Sequence, residues 1–298
     1  MNMTLHHHIA LLSKFDRGLA LKELISQAVK PGARVLDAGC GTGLLSIFAV
    51  QAGAKEVLAV DAADTSVAEA LARENNCLKH IKFLQCDLDS LSAKEQGQFD
   101  VLIGMIYFND PRRDEAQSRL AARLAREFLR PGGRCIPDSV EYLAIAMDWP
   151  SQNLTARVLD LHNRVALMEG RYGLRFGPLA NAGLETPNPQ WYPLRDPAGC
   201  LIRPDARLLS EPAVFARINH EQGMAAYPTE IKIKTEAPGL CDSILFIQNI
   251  RFGERIIFSN ESVSWIENPA YCSAGTLLSL ECGAAWHHAN RLRLLGAD

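Results

Sequence analysis

The feature that most limits what this chain can fold into is "VLDAGCGTG" at residues 35–43, an apolar run that enters a glycine-rich turn and continues into "LLSIFAVQAGA". Apolar residues without alternation suit a parallel strand covered on both faces. Glycines directly after it let the backbone approach a ligand where side chains would block the way. Their spacing is GxGxG, not the GxGxxG of dinucleotide-binding folds. The same grammar repeats from Arg34 to about Met147, where "RVLDAG", "EVLAVDA", "IKFLQCD", "FDVLIGM" and "GGRCIPD" read as strands separated by amphipathic stretches. That alternation predicts a parallel sheet flanked by helices. The first helix places Leu44, Ile47 and Phe48 on one face and ends at Gly53, a residue suited to a left-handed cap. A second opens with Ser66 and Glu69 in capping-box spacing, ahead of Ala70 and Leu71. A third, "DEAQSRLAARLAREFL", stacks Leu120, Leu124 and Phe128 until "RPGG" stops it.

Beyond Asp138 the texture changes to "SVEYLAIAM", "EPAVFARIN", "TEIKIKTEA", "SILFIQNIRF", "ERIIFS" and "TLLSLECG", divided by Pro, Gly and Asn and not by helices. This predicts an antiparallel β half. The expected fold is α/β: an N-terminal helix and a doubly wound Rossmann-like domain over 1–137, then a β-barrel-like domain over 138–298. An inserted arm at about 160–200 carries Tyr172, Phe176, Trp191 and Tyr192, which are costly to expose; packing on a partner would cover them, so a homodimer is expected.

The 31 basic and 34 acidic residues give a net charge of −3, which argues against sequence-wide attraction to nucleic acid or to an anionic membrane. Eight cysteines are scattered without a CxxC pair, the pattern of reduced thiols in a cytoplasmic protein and not of a metal site. Lys14, Asp16 and Arg17 break the apolar N-terminal run before it reaches secretory or membrane length. His6 to His8 read as natural sequence.

Three strand ends carry the candidate binding residues. Gly39, Gly41 and Gly43 follow the first strand. Asp61 closes the second, where a carboxylate can accept both hydroxyls of a ribose. The third ends at Asp87 and Leu88, which can offer an acceptor to an adenine amino group and a backbone amide; alone, Asp87 would equally serve as a cap. In open α/β sheets, ligands bind at this carboxyl edge.

"VLDAGCGTGLLSIFAVQAGAKEVLAVDA" closely resembles the first motif of class I methyltransferases, and "GTGLLSIFAVQAGA" resembles the protein arginine methyltransferase branch in particular. His8, Leu11, Leu12 and Arg17 fall at the spacing of that family's N-terminal helix, whose arginine contacts the cofactor carboxylate. "RPGGRCIPDSVEYLAIAM" is similar to the signature that leads into its β half, "RYGLRFGPLA" to part of its dimerisation arm, and "SILFIQNIRF" to one of its strands. The resemblance spans roughly 8–266. It implies S-adenosylmethionine as cofactor, held by Arg17, Asp37, Gly39, Gly41, Gly43, Leu44, Asp61, Ala62, Asp87, Leu88 and Met105.

The substrate-handling parts depart from that family. Its two loop glutamates hold the guanidinium of the substrate, a poor nucleophile because its charge is delocalised and its proton is not lost at ordinary pH. Here the first position falls on Met105 and the second near Asp114. The Thr-His-Trp element reads Val263, Ser264 and Trp265. Catalytic candidates are therefore Asp114, Tyr107 and Asn109, with Asp110, Glu115, His287 and His288 as further options; no metal is implied. The expected activity is methyl transfer to a nitrogen or oxygen of a small molecule or peptide in a specialised biosynthetic pathway. Two other readings stay open: a protein arginine methyltransferase with a degenerate loop, and a catalytically silent cofactor-binding scaffold.

Overall fold

The structure is a computed structural model and describes residues 11–107, 111–149, 165–166, 169–171, 206–222, 227–281 and 292–297. Five parallel strands form the first sheet: β1 (Arg34–Ala38), β2 (Glu56–Asp61), β3 (Ile81–Gln85), β4 (Phe99–Ile103) and β5 (Leu129–Ile136), in the order β3-β2-β1-β4-β5. Alternate strand residues feed opposite faces. Val35, Val57 and Val101 pack with Leu21 and Ile25 of α1 (Phe15–Ala28) and Ile47 of α2 (Leu44–Gln51). Leu36, Leu58 and Leu102 pack with Leu124 and Phe128 of α5 (Pro111–Phe128). Helices α3 (Ser66–Glu74) and α4 (Ala93–Gln96) complete this half. The chain reverses its direction of travel across the sheet between β1 and β4, and in open α/β sheets ligands bind at the carboxyl edge of such a reversal.

Local departures from the sequence reading have simple causes. Thr65, not Ser66, flanks α3; its hydroxyl bonds Glu69 at 3.1 Å while Ser66 bonds Asp64 at 2.6 Å. Ala68 and Ala72 are the buried residues of α3, and Ala70 and Leu71 face out. In α2, Ile47 is buried with Ser46 and Ala49, leaving Leu44 and Phe48 half-buried. Gly53 follows α2 at φ +100°, as its capping role requires. Helix α5 starts three residues before Asp114, and Leu129 already belongs to β5.

The second half is built from β6 (Ser139–Asp148), β7 (Arg207–Leu208), β8 (Ala213–Asn219), β9 (Glu230–Lys234), β10 (Gly239–Phe252), β11 (Arg255–Cys272), β12 (Leu277–Glu281) and β13 (Leu294–Ala297). Among the described residues the expected barrel is not closed: it consists of one sheet ordered β11-β10-β6-β7, with β8 also paired to β6, and a separate sheet ordered β13-β12-β9. An isolated parallel bridge joins Ile266 to Leu292. Val140, Tyr142, Phe246 and Ile250 of the larger sheet share one core with Ile231, Ile233, Leu278 and Leu280 of the smaller, so side-chain burial joins the two sheets. β11 runs well past "ERIIFS", and β7 and β13 are too short for a sequence pattern to show. Apart from 165–166 and 169–171, the arm at about 160–200, with Tyr172, Phe176, Trp191 and Tyr192, lies outside the described residues. Among the described residues, no helix is long and apolar enough to cross a membrane.

Candidate active site

The turn after β1 is shaped by its glycines. Gly39, Gly41 and Gly43 take φ of +76°, +53° and +75°, a left-handed region that side chains disfavour. A Cβ on Gly39 would also lie 2.8 Å from Ile106 Cγ2, and one on Gly43 3.2 Å from the Ala68 Cβ. The Gly39 and Cys40 amides donate to the Val60 carbonyl at 2.8 and 3.0 Å, tying the turn to the end of β2. Asp61 then takes the Gly41 amide on Oδ2 at 2.8 Å and the Ala63 amide on Oδ1 at 2.9 Å. A carboxylate offers about four acceptor positions, so each oxygen keeps one for a ligand hydroxyl. Half-buried Asp61 and exposed Ala62 sit at the rim, and Leu44 opens α2 beside them. The donor and acceptor set therefore fits an adenosine-type cofactor.

Asp37 lies beneath this rim. It is 1 % exposed and accepts the Ser46 hydroxyl at 2.6 Å, so it fastens β1 to α2 from below. Burial pushes its carboxyl up to about 6; the Ser46 bond opposes that shift and the Asp61 charge adds to it. Burial likewise pushes the Cys40 thiol up. Asp87 is exposed, accepts the Asp89 amide at 2.9 Å and so caps the short turn after β3, while Leu88 beside it is buried. Arg17 of α1 holds its guanidinium over the Phe258 ring, 5.2 Å from the centroid, and burial lowers its pKa.

The segment after β4 crosses between the two halves. Met105 packs against both the sheet core next to α1 and α2 and the core of the β half. An apolar side chain suits that position, because an ionised group there would lose its hydration. Two residues on, the Tyr107 hydroxyl bonds Nε2 of His220, whose Nδ1 donates to the Pro137 carbonyl at 2.8 Å. The two rings stack at 5.9 Å between centroids. Burial raises the Tyr107 hydroxyl well above its ordinary value and lowers the imidazole of His220. His220 follows β8 with no motif around it, and nothing in its spacing marks it in the sequence.

Asp114 is fully buried in the first turn of α5, and its Oδ2 accepts the Gln248 side-chain amide at 2.6 Å. Gln248 also bonds the Tyr142 hydroxyl and takes a bond from Asn260, both at 3.0 Å. Neighbouring Glu115 pairs with Arg119 at 2.8 Å. Val263 and Trp265 share a cluster with Ile145 and Trp149, and the ladder places them on the sheet face opposite Gln248. Structure thus gathers Asp114, Tyr107 and Met105 near the junction but separates Trp265 from Gln248. Asn109, Asp110, His287 and His288 lie outside the described residues.

A glycine turn and an acidic strand end at a β1/β4 reversal, with the glycines in GxGxG spacing, fit the cofactor site of a class I methyltransferase fold. Comparison agrees: the family model described as "Methyltransferase domain" matches residues 35–133. Ribosomal protein L11 methyltransferase of Burkholderia ambifaria (strain MC40-6) is 32% identical over 136 residues, 42% of this chain and 41% of that protein. Ribosomal protein arginine N-methyltransferase rmt3 of Schizosaccharomyces pombe is 29% identical over 216 residues, 71% of this chain and 36% of that protein. This chain therefore spans well under two thirds of either relative. Among solved structures, Arabidopsis thaliana protein arginine methyltransferase 10 aligns with a TM-score of 0.65 at 18% identity, covering 93% of this chain and 88% of that one. The Trypanosoma brucei PRMT1 enzyme-prozyme complex with AdoHcy aligns at 0.63 with the same identity and coverage. Residues 35–133 are a class I, S-adenosylmethionine-dependent methyltransferase domain, and the chain has the two-part fold of the arginine methyltransferase-like branch.

Proposed function

We propose that this chain transfers the methyl group of S-adenosylmethionine to a nitrogen or oxygen of a small molecule or peptide, in a specialised biosynthetic pathway. The observation that carries this reading is the pairing of a complete glycine-turn and Asp61 rim with Met105, packed between two apolar cores where the arginine-specific branch needs a carboxylate. Asp61 would hold the ribose, Gly39, Gly41 and Gly43 the close backbone approach, Leu44, Ala62, Asp87 and Leu88 the adenosine surroundings, and Arg17 the cofactor's carboxylate, with Asp37 positioning the turn from below. The bound sulfonium supplies a methyl group ready for in-line displacement, and the protein contributes alignment and exclusion of water. Tyr107 and Asp114 are the acceptor-side candidates, with Asn109, between them in sequence, as a third. Incubating the chain with methyl-labelled S-adenosylmethionine and a panel of amines, alcohols, phenols and peptides, read by mass spectrometry, tests the proposal; no labelled product from any of them would defeat it.

Methylation of protein arginine is the second reading, supported by the rmt3 similarity over 71% of this chain and by the buried Asp114 and Glu115 on α5. We also propose a homodimer: Phe15 and Leu19 of α1 are 71% and 63% exposed, an apolar surface that a second copy's arm would cover.

A further inference from the structure

We propose that His220, acting through the Tyr107 hydroxyl, takes up the proton that the methyl acceptor sheds, so that the acceptor is a nitrogen or oxygen nucleophile still carrying a hydrogen and not a carboxylate. This rests on the methyl-transfer reading above and names the substrate class of that same site.

Position and geometry support it together. Tyr107 lies two residues past Met105 after the carboxyl end of β4, and Ile106 between them packs against the Gly39 turn of β1, so the segment runs beside the β1/β4 reversal, the edge at which open α/β sheets bind ligands. Behind Tyr107, the backbone orients the imidazole. With Nδ1 donating to the Pro137 carbonyl, Nε2 is left as the acceptor for the Tyr107 O–H. A base is thus held by an orienting carbonyl on one ring nitrogen and faces a hydroxyl with the other. His220 is 1 % exposed, so water does not compete for Nε2.

Tyr107 alone is a poor base, because burial disfavours the phenolate, and the neighbouring Tyr142, Cys135 and Asp114 disfavour it further when charged. A proton passed on to His220 avoids that phenolate. Asp138 faces the imidazole and favours its charged form. In the step itself, the acceptor's lone pair bonds the methyl carbon while the carbon–sulfur bond breaks with its electron pair left on sulfur. The acceptor's proton passes to the Tyr107 oxygen as the Tyr107 proton passes to Nε2. After product release the imidazolium returns its proton to solvent through Tyr107. A carboxylate acceptor has no proton to lose and gains nothing from the pair.

The test uses the full chain with methyl-tritiated S-adenosylmethionine and three fragment sets: primary amines, phenols and carboxylates. We expect transfer to amines or phenols and none to carboxylates. Tyr107→Phe and His220→Gln should bind S-adenosylhomocysteine as the parent does yet lose about 10²–10⁴-fold in kcat with little change in KM. The kcat of His220→Gln should climb with pH where that of the parent is level. Transfer to carboxylates alone, to none of the three sets, or parental kcat in both variants would overturn the relay while leaving cofactor binding intact. Failure of the parent to bind S-adenosylhomocysteine would overturn the reading beneath it. Because removing a buried histidine can unfold a protein, nitrogen-15 NMR of the parent supplies a second readout. The relay requires a neutral His220 with its proton on Nδ1 and an Nε2 resonance that shifts in Tyr107→Phe; a proton on Nε2 rules it out.

Discussion

The side-chain amide of Gln248 on β10 donates to the carboxylate of Asp114 on α5 at 2.6 Å, across 134 residues of chain. The contact ties the first turn of α5 to the larger β sheet, and Asp114 is fully buried where it happens. Asp114 stands inside the first turn of α5 and not ahead of it, where a capping residue would sit.

Deleting either partner takes a hydrogen bond from a buried polar group, a cost of ~1–3 kcal/mol. Asp114→Ala and Gln248→Ala should each lower stability by that order, and the double variant by clearly less than the sum, since the two lose one shared contact. Denaturant unfolding of the four proteins closes the cycle. Strict additivity would show that the bond contributes nothing. Asp114→Asn should bind cofactor as the parent does. If Asp114 acts as a base, its turnover should drop by ~10²–10⁴-fold.

Asp61 has two duties, shaping the turn through the Gly41 and Ala63 amides and, on our reading, holding the ribose. Asp61→Ala should weaken S-adenosylmethionine and S-adenosylhomocysteine alike by ~1.5–3 kcal/mol, the scale of charge-assisted hydrogen bonds. Calorimetry decides it, and parental affinity in the variant would remove Asp61 from the ribose.

Asp37 gives a pH signature. Its carboxyl is raised to about 6 in the fold by burial, from an ordinary value of 3.8. Between those values the folded protein binds more protons than the unfolded chain, so this residue's contribution falls as pH rises through the window. The loss is ~3 kcal/mol, complete above pH ~6. Asn can still accept the Ser46 hydroxyl, so Asp37→Asn should be at least as stable as the parent at pH 8 and show a flatter profile from pH 4 to 6. An unchanged slope in chemical denaturation would place the titration elsewhere.

The parallel half was legible because its strands are buried on both faces, so "RVLDA" and "EVLAV" appear as unbroken apolar runs bounded by glycine and acid. Most strands of the β half were legible one by one, the short β7 and β13 aside, but not their arrangement, since pairing between distant segments leaves no local pattern. The place of Asp61 beside the glycine turn was legible from its distance to the glycines. His220 was not: what makes it notable is the Pro137 carbonyl and the Tyr107 hydroxyl, 83 and 113 residues away in sequence. Met105 stood out as a departure from the arginine methyltransferase pattern, but the two cores it joins became visible only in three dimensions.

From that position of Met105 follows an expectation about substrate. Glycine- and arginine-rich peptides should receive little or no methyl label, because on our reading Met105 puts a thioether where the arginine methyltransferase branch has one of the two carboxylates that concentrate charge on a guanidinium nitrogen. Restoring that carboxylate should not help: Met105→Glu puts an acid on a half-buried position beside two apolar cores and should destabilise the fold by about 1–3 kcal/mol. Mass spectrometry showing abundant dimethylarginine with the parent chain would return the arginine reading to first place.

Assembly can be tested separately from chemistry. Phe15 and Leu19 lie on the outer side of α1, whose inner side buries Leu21, Leu24 and Ile25; Val67 and Leu71 of α3 are also exposed, at 46% and 38%. A chain of 32.8 kDa that presents these side chains to water forgoes burial worth roughly 25 cal/mol per Å² of apolar surface. Light scattering at micromolar concentration should give twice the mass of one chain. Phe15→Asp with Leu19→Asp should shift the population to the monomer without lowering thermal stability at high dilution, where the parent is itself dissociated, because neither residue is buried within the chain. A parent that runs as a single chain at micromolar concentration would dismiss the dimer, and a double variant that stays dimeric would move the contact away from α1.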